Sequence, residues 1–199
     1  LWPPIESRAA AHSATKLDAI VPVWQFDERH TIEINASPAA IDKAIREVTA
    51  GEISLFQFLT GIRRGGKRQE ENILNVPEAR PILAAAIKGG FLMLSDEPMR
   101  EIVVGSAVTK PVDLTLTAEQ LSRWSEPGVA RAIMNFRIEP VPGVSDRQLL
   151  TTETRVHATD SMTARKFSWY WRMIYPGSSL IRVGWLDAIK KRAESTPRN

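Results

Sequence analysis

The amino-acid sequence predicts an α+β fold in which a curved antiparallel sheet wraps around one long C-terminal helix, with short helices between the first and second strands. Segments that alternate apolar and polar residues recur along the chain, and turn-forming residues separate them. The last of these, residues 149–158, leads into a helix that carries more aromatic surface than an exposed helix needs. With 199 residues, 43% of them hydrophobic, the chain is sized for one domain with a full core.

The N-terminal region shows no periodicity and contains several prolines, so we predict an extended lead-in over residues 1–22 and a single domain over residues 23–195. We expect the lead-in to pack against the domain through Trp2 or Trp24. Because the chain starts at Leu1, two interpretations are open: a leader or anchor helix preceded it, or a disordered terminus was trimmed. The first interpretation allows membrane association through the removed segment.

The first strand is predicted over residues 26–34, where apolar and polar residues alternate. Its inward face carries Phe26, Glu28, His30, Ile32 and Ile34. Ser37 then provides an N-cap and Pro38 a first helical residue, so a helix follows. Two further short helices are predicted over residues 52–63 and 81–88, because apolar residues recur at helical spacing and glycines follow.

Four more strands are predicted over residues 91–95, 100–108, 129–138 and 149–158. The last two form a hairpin in which Ala130, Ala132, Met134, Phe136 and Ile138 oppose Leu150, Thr152, Thr154, Val156 and Ala158. This face is small and apolar, and the terminal helix is expected to cover it. The other face carries Arg131, Asn135, Arg137, Glu139, Arg147, Glu153, Arg155 and His157. We expect that charged face to be solvated.

A long connection over residues 110–128 precedes this hairpin. Thr117 and Gln120 form a T-x-x-Q capping signature within it, and Trp124 is an isolated aromatic residue. Such a connection is either a lid or a loop that covers a sheet edge.

The terminal helix has one inward stripe at 3.6 residues per turn, made of Phe167, Tyr170, Trp171 and Ile174. Trp169 and Met173 then need another contact: the N-terminal segment, a second subunit or a membrane surface. Pro176 lacks a backbone donor and is followed by Gly177-Ser178-Ser179, so we expect a kink or short break near Tyr175.

Composition excludes several kinds of site. The chain has no cysteine, which rules out disulfides, thiolate catalysis and Cys-ligated metals. His12, His30 and His157 lie far apart, so no metal site is expected, and no phosphate-binding or dinucleotide motif indicates a cofactor. The 26 basic and 23 acidic residues leave a net charge of only +3, so we expect no nucleic-acid partner. No run of eighteen apolar residues occurs.

Glu28 and His30 are the main candidates for chemistry, because strand parity places both on the inward face. A carboxylate beside an imidazole acts as an acid–base pair or anchors a ligand's polar head, but a buried polar pair also occurs with no further role than mutual hydrogen bonding. Thr152 and Thr154 either provide hydroxyl groups that hydrogen-bond to a ligand in the cavity or are ordinary strand residues. The complete predicted ligand site is Glu28, His30, Ile32, Ala132, Met134, Phe136, Thr152, Thr154, Phe167, Tyr170, Trp171 and Ile174.

The element order and the phrases EINASPAAIDKAI, FLMLSDEP, GVARAIMNFRIEP and LLTTETRVHATD resemble the START-like, or SRPBCC, superfamily over residues 26–193. The similarity is to uncharacterised bacterial members. It implies a helix-grip fold, in which the sheet grips the terminal helix and hydrophobic ligands such as lipids, sterols or polyketides occupy the space between them. The helical segment over residues 81–88 and Pro176 depart from the simplest pattern of that superfamily, so the ligand class does not carry over.

Three functions therefore remain open from the sequence. The protein binds or transports a hydrophobic small molecule, such as a lipid, an isoprenoid or a polyketide-like compound. Alternatively, it is a cyclase, dehydratase or hydrolase that uses Glu28 and His30 on such a molecule. As a third alternative, it is a membrane-surface or protein-interaction module without a ligand. A bacterial protein of this kind is either cytoplasmic or, if a leader was removed, tethered outside the cytoplasm.

Overall fold

The computed structural model describes residues 5–10, 14–53, 79–109, 116–144 and 146–195. The strands are β1 Arg8–Ala9, β2 Val23–Trp24, β3 Phe26–Ile34, β4 Leu92–Glu97, β5 Glu101–Ala107, β6 Ala130–Pro140 and β7 Gln148–Ala158. The helices are α1 Lys16–Ile20, α2 Pro38–Glu47, α3 Ile82–Lys88, α4 Ala118–Arg123 and α5 Ser161–Glu194, and a 3-10 turn spans Ala50–Glu52. Most of the helix predicted over residues 52–63 lies outside the described residues.

Five strands form one antiparallel sheet in the order β3-β7-β6-β5-β4, and β1 pairs with β2 in a separate two-stranded ribbon. The predicted hairpin register is confirmed, because Ala132 faces Val156, Met134 faces Thr154 and Phe136 faces Thr152 across β6 and β7. The side chains on this inner face lie beneath α5. The α+β fold predicted from the sequence, a five-stranded antiparallel sheet packed against a long C-terminal helix, is thus the fold observed.

Helix α5 starts at a side-chain cap and then runs without interruption. Asp160 accepts hydrogen bonds from the Thr163 backbone nitrogen at 2.8 Å and the Thr163 hydroxyl at 2.6 Å, as well as from the Gly128 backbone nitrogen at 2.8 Å. The Thr163 hydroxyl, followed by these backbone donors, holds the pKa of Asp160 well below its usual range. The helix continues through Pro176, so a short break there is absent, whereas the alternative, a kink near Tyr175, stays a prediction.

The larger inner cluster of apolar side chains fills the space between the sheet, α2, α3 and the second half of α5. Its buried members include Ile41, Ile45, Ile82, Leu83, Phe136, Leu150, Trp185, Leu186 and Ile189. A smaller inner cluster lies at the other end of the sheet and comprises Phe26, Ala130, Val156, Ala158, Ala164 and Phe167. The inner core is therefore divided in two, and the region between these clusters holds the candidate site described below.

The outer face of the sheet is covered by protein, so the prediction of a solvated charged face is wrong. The covering apolar residues are Leu17, Val21, Trp24, Leu121 and Val129, which pack with Val103 and Ile133. Arg155 is buried among them and pairs with Asp18 at 2.8 Å and Glu153 at 2.6 Å, with its guanidinium 3.8 Å from the Trp24 ring centre. Arg155 tolerates burial here because two carboxylates pair with its guanidinium.

Arg131 is the second buried arginine of this outer face, and it has no carboxylate partner within the described residues. Its guanidinium donates to the backbone carbonyls of Leu121 and Ser122 at the end of α4. Burial lowers the pKa of Arg131. The T-x-x-Q signature is confirmed as a capping box, which begins the helix α4 inside the predicted connection. Leu121 packs this helix against the outer face of the sheet.

The predicted extended lead-in contains a helix, which corrects that prediction for the part described. Thr15 and Asp18 form a capping box at the start of α1. Backbone nitrogens of Lys16 and Leu17 donate to the buried Glu101 carboxylate at 2.9 and 3.3 Å. Trp24 packs in the outer cluster, as predicted for one of the two tryptophans, whereas Trp2 lies outside the described residues.

Candidate functional site

A layer of polar side chains separates the two inner clusters, and we call it the polar layer. It consists of Glu28, His30, Thr152, Thr154, Ser178, Ser179 and Arg182. Along β3 it follows Phe26 of the smaller cluster and precedes Ile34 of the larger one. Along α5 it follows Phe167 and precedes Trp185, so β3 and α5 bring their polar residues to the same level.

Glu28 and His30 form the pair that strand parity predicts. The Glu28 side chain is 1% exposed and its Oε1 lies 2.8 Å from Nε2 of His30, whose side chain is 20% exposed. Helix α5 completes the environment of the pair: Ser178 Oγ donates to Glu28 Oε2 at 2.9 Å, and Ser179 Oγ lies 3.3 Å from His30 Nε2. Both carboxylate oxygens are therefore engaged, and the imidazole is the more accessible member of the pair.

Arg182 brings a positive charge into the same layer. It is half-buried, and its Nη1 donates to Thr152 Oγ1 at 3.2 Å and contacts the thioether sulfur of Met134. Burial lowers the pKa of Arg182 to about 10, although the charge of Glu28 acts in the opposite direction. An arginine remains protonated at neutral pH even at that value, so the layer contains a fixed cation.

Thr152 and Thr154 lie on the inner face of β7, as predicted. Thr152 accepts the hydrogen bond from Arg182. Thr154 is opposite Glu28 on one side and Met134 on the other, is 5% exposed, and its hydroxyl has no hydrogen-bond partner within the described residues. A buried hydroxyl without a partner is unusual in native structures.

Aromatic rings surround one end of the polar layer. Phe167 is buried with its ring 5.2 Å from that of Phe26, and the half-buried Trp171 lies 6.0 Å from both. Tyr170 is 52% exposed, so its predicted inward direction is wrong, although its ring lies 5.5 Å from Phe167. Tyr170 is rotated by about 60° from Phe167 around the helix axis, which places it at the edge of the stripe.

The remaining predicted site residues divide between the two inner clusters. Ala132 packs against the smaller cluster; Ile32, Met134 and Phe136 belong to or pack against the larger one; Ile174 is partly buried on α5. Phe136 is 1% exposed, with its ring 4.9 Å from Trp185 in an edge-on arrangement. The role of these residues in ligand binding stays a prediction.

The outward side of α5 exposes several apolar side chains near the site. Trp169, Met173 and Leu180 are exposed, which agrees with the prediction that Trp169 and Met173 face away from the pocket. The space beside Gly177 is open, because a Cβ atom built there would meet no atom within 4 Å.

Sequence reasoning missed Ser178, Ser179 and Arg182. The kink or short break expected near Tyr175 leaves the helix face of the polar residues after Pro176 undefined. A signal was present nonetheless: Trp171, Ser178, Arg182 and Trp185 are spaced by seven, four and three residues, which puts them on one side of a continuous helix. A charged residue within an aromatic stripe marks an interior polar site.

A separate cleft of about 490 Å³ opens at the surface between α2, the 3-10 turn and the end of α5. Its lining includes Lys43 and Lys191, and Arg192 bridges Glu47 and Glu52 at its edge. This cleft lies beyond the larger inner cluster and does not contact the polar layer. Arg192 is paired with both glutamates there, so we regard the polar layer as the better candidate site.

Two further kinds of site are absent from the described part of the chain. No group of three or more histidine and carboxylate side chains is arranged to hold a metal ion there. Among the described helices, none is both long enough and apolar enough to cross a membrane.

The order of the strands and the position of α5 on the inner face define a helix-grip protein with a polar layer between sheet and helix. No family model matches the chain, and no curated protein matches it. Among solved structures, a conserved protein from Geobacillus kaustophilus is 14% identical, with a TM-score of 0.42 over 84% of this chain and 95% of that one. Norcoclaurine synthase from Thalictrum flavum, in complex with dopamine and hydroxybenzaldehyde, is 13% identical, with a TM-score of 0.39 over 87% and 89%. A hypothetical protein from Helicobacter pylori is 7% identical, with a TM-score of 0.34 over 84% and 86%.

Proposed function

We propose that the protein binds a hydrophobic small molecule between the sheet and α5, with the polar layer contacting the polar end of the ligand. The observation that carries this proposal is the interruption of the inner core by Glu28, His30 and Arg182 at one level. Buried charged groups generally destabilise a fold relative to apolar residues of the same volume. Their position inside the core is therefore better explained by a ligand than by stability.

The two ends of the site suit different parts of such a ligand. Phe26, Phe167 and Trp171 present aromatic surface on one side of the polar layer, and the side chain of Trp171 is only half-buried. Aromatic rings of this kind contact apolar chains or ring systems. A lipid, isoprenoid or polyketide-like compound has both the apolar body and the polar group that this arrangement requires.

Uptake of Nile red, an uncharged hydrophobic dye, tests this proposal. We expect saturable binding of one dye molecule per chain, and we expect Ser178→Trp to weaken it by about tenfold or more, since the indole would occupy the space beside Glu28. Leu180→Trp is the matched control, because it adds the same ring two residues away on the exposed side of α5. Dye binding that is unaffected by Ser178→Trp in a folded variant would contradict the proposal.

Acid–base catalysis on the bound molecule is the second candidate function. The 2.8 Å contact between Glu28 Oε1 and His30 Nε2 favours it, because a buried carboxylate beside a more accessible imidazole is suited to proton transfer. For such an enzyme we expect His30→Asn to reduce turnover of a candidate substrate by about 100-fold or more while Nile red uptake is retained. If turnover of that substrate is unchanged, His30 takes no part in catalysis of its reaction.

A further inference from the structure

Arg182 differs from the arginines that form ion pairs in what its guanidinium contacts. Arg46, Arg155 and Arg192 each hold two carboxylates at 3.3 Å or less. Arg182 has no carboxylate within 4.0 Å in the described part of the chain, and its contacts there are one hydroxyl and one thioether sulfur, both through Nη1. A thioether is a weak acceptor, so the guanidinium lacks the strong partner that a half-buried cation normally has.

Glu28 lies near Arg182 but does not serve as that partner. Its two oxygens accept from Ser178 and contact His30, whereas its charge acts on Arg182 only over a longer distance. Within the described residues, Nε and Nη2 of Arg182 donate no hydrogen bond. Two donors of one planar guanidinium are thus left in the geometry that fits a carboxylate.

Thr154 supplies an independent observation at the same place. Its hydroxyl is nine-tenths buried or more and has no partner in the described residues. It lies opposite Met134, which contacts Arg182, and two residues from Thr152, which accepts from Arg182. A buried hydroxyl that can donate therefore lies on the inner face of β7, one inward position along the strand from the threonine that Arg182 contacts.

We propose that the polar layer selects hydrophobic ligands that carry a single carboxylate, which accepts hydrogen bonds from Arg182 and from the Thr154 hydroxyl. This inference rests on the proposed function, because it names the chemical class of the ligand at the same site. Glu28 repels any bound anion, so a doubly charged group such as a phosphate would meet stronger repulsion there than a monoanion does. The apolar body of the ligand lies against Phe26, Phe167 and Trp171.

Competition between Nile red and two matched compounds, dodecanoate and methyl dodecanoate, tests the inference on the unaltered protein. We expect dodecanoate to displace the dye at a concentration about tenfold to a hundredfold lower than the ester, because charge-assisted hydrogen bonds to Arg182 are available to the acid alone. Equal displacement by the two compounds would overturn the selection for carboxylates and leave hydrophobic binding in place. Failure of the protein to bind Nile red at all would overturn the proposed function and the inference together.

Variants then assign the selectivity to Arg182. Arg182→Gln is expected to abolish the advantage of dodecanoate over its ester, and Glu28→Gln is expected to increase it, since a competing negative charge is removed. Arg165→Gln is the matched control: it removes the same charge from an exposed position of α5 and is expected to leave the advantage unchanged. An advantage that persists in folded Arg182→Gln would overturn the assignment, and if that variant does not fold, the acid–ester comparison on the unaltered protein decides.

Discussion

Replacing Arg155 by Met is expected to destabilise the protein by about 3–5 kcal/mol, because it leaves two carboxylates buried without their cation. The side chains of Arg155, Asp18 and Glu153 are 7%, 9% and 14% exposed, and the pairs measure 2.8 and 2.6 Å. The guanidinium also lies over the Trp24 ring and therefore holds α1 and β2 against the sheet. Urea denaturation of wild type and variant, followed by circular dichroism, measures the loss.

An exposed ion pair near the same strand provides the control. Arg147 lies 3.2 Å from Glu33, with both side chains more than half exposed, so Arg147→Met is expected to change the free energy of unfolding by about 1 kcal/mol or less. Replacing Arg155 and Asp18 together by apolar residues is expected to recover part of the loss, since one uncompensated charge is removed with the cation. Equal effects of Arg155→Met and Arg147→Met would show that burial does not strengthen the Arg155 pair.

The pH dependence of stability provides a second measurement of the Arg155–Asp18 pair. Burial raises the pKa of Asp18, but hydrogen bonds from Arg155 and Thr15 and the charge of Arg155 outweigh it, so that the pKa lies below its usual value of 3.8. A carboxyl whose pKa is lower in the folded state contributes stability above its unfolded pKa, and loses it as the pH falls through the folded value. The stability difference between wild type and Arg155→Met is therefore expected to narrow below about pH 4.

The inner face of the sheet could be predicted from the sequence because it depends on local pattern. Side chains alternate with a period of two, so the turn after β6 sets the register, and Met134 is necessarily opposite Thr154. The same parity placed Glu28 and His30 beneath the terminal helix. An apolar sheet face followed by an aromatic helix predicts that the helix packs on that face, which is the fold observed.

The outer face was missed because its burial depends on partners distant in sequence. Charged side chains such as Arg131 and Arg155 are typical of a strand face exposed to solvent. No local sequence pattern shows that Asp18 lies against Arg155. Helix α1 has only five residues, which is too short for a hydrophobic period to be detected. Its capping residues, Thr15 and Asp18, were the available signal.

Three of the seven residues of the polar layer, Ser178, Ser179 and Arg182, were missed for a different reason. A proline inside a helix usually ends or bends it, so a kink or short break near Tyr175 is expected, and the inward stripe predicted from the sequence ends at Ile174. The helix instead continues and places Ser178 against Glu28, and Arg182 against Thr152. Packing by Trp185 and Ile189 on one side and Phe167 on the other holds both ends of the helix on the sheet. Tertiary contacts therefore outweigh the local preference at this proline.

Replacing Phe136 by Ala is expected to reduce the free energy of unfolding by about 3–5 kcal/mol, the range for deletion of a large buried aromatic ring. Phe136 is 1% exposed, and its ring contacts Trp185 edge-on at 4.9 Å, so the two rings join β6 to α5 in the larger inner cluster. Chemical denaturation measures the loss. Tyr170→Ala is the control, because it also deletes an aromatic ring but from a side chain that is 52% exposed, and its effect is expected to be about 1 kcal/mol or less.

The same variant separates a core residue from a ligand-lining one. If Phe136 only fills the core, folded Phe136→Ala retains the Nile red affinity of wild type under conditions in which both are native, since Phe136 packs in the larger inner cluster and the rings of Phe26 and Phe167 in the smaller one. If Phe136 lines the ligand, as its inward position led us to predict from the sequence, its removal changes dye affinity along with stability. A loss of stability below about 1 kcal/mol would contradict the packing of Phe136 against Trp185, whatever the effect on dye binding.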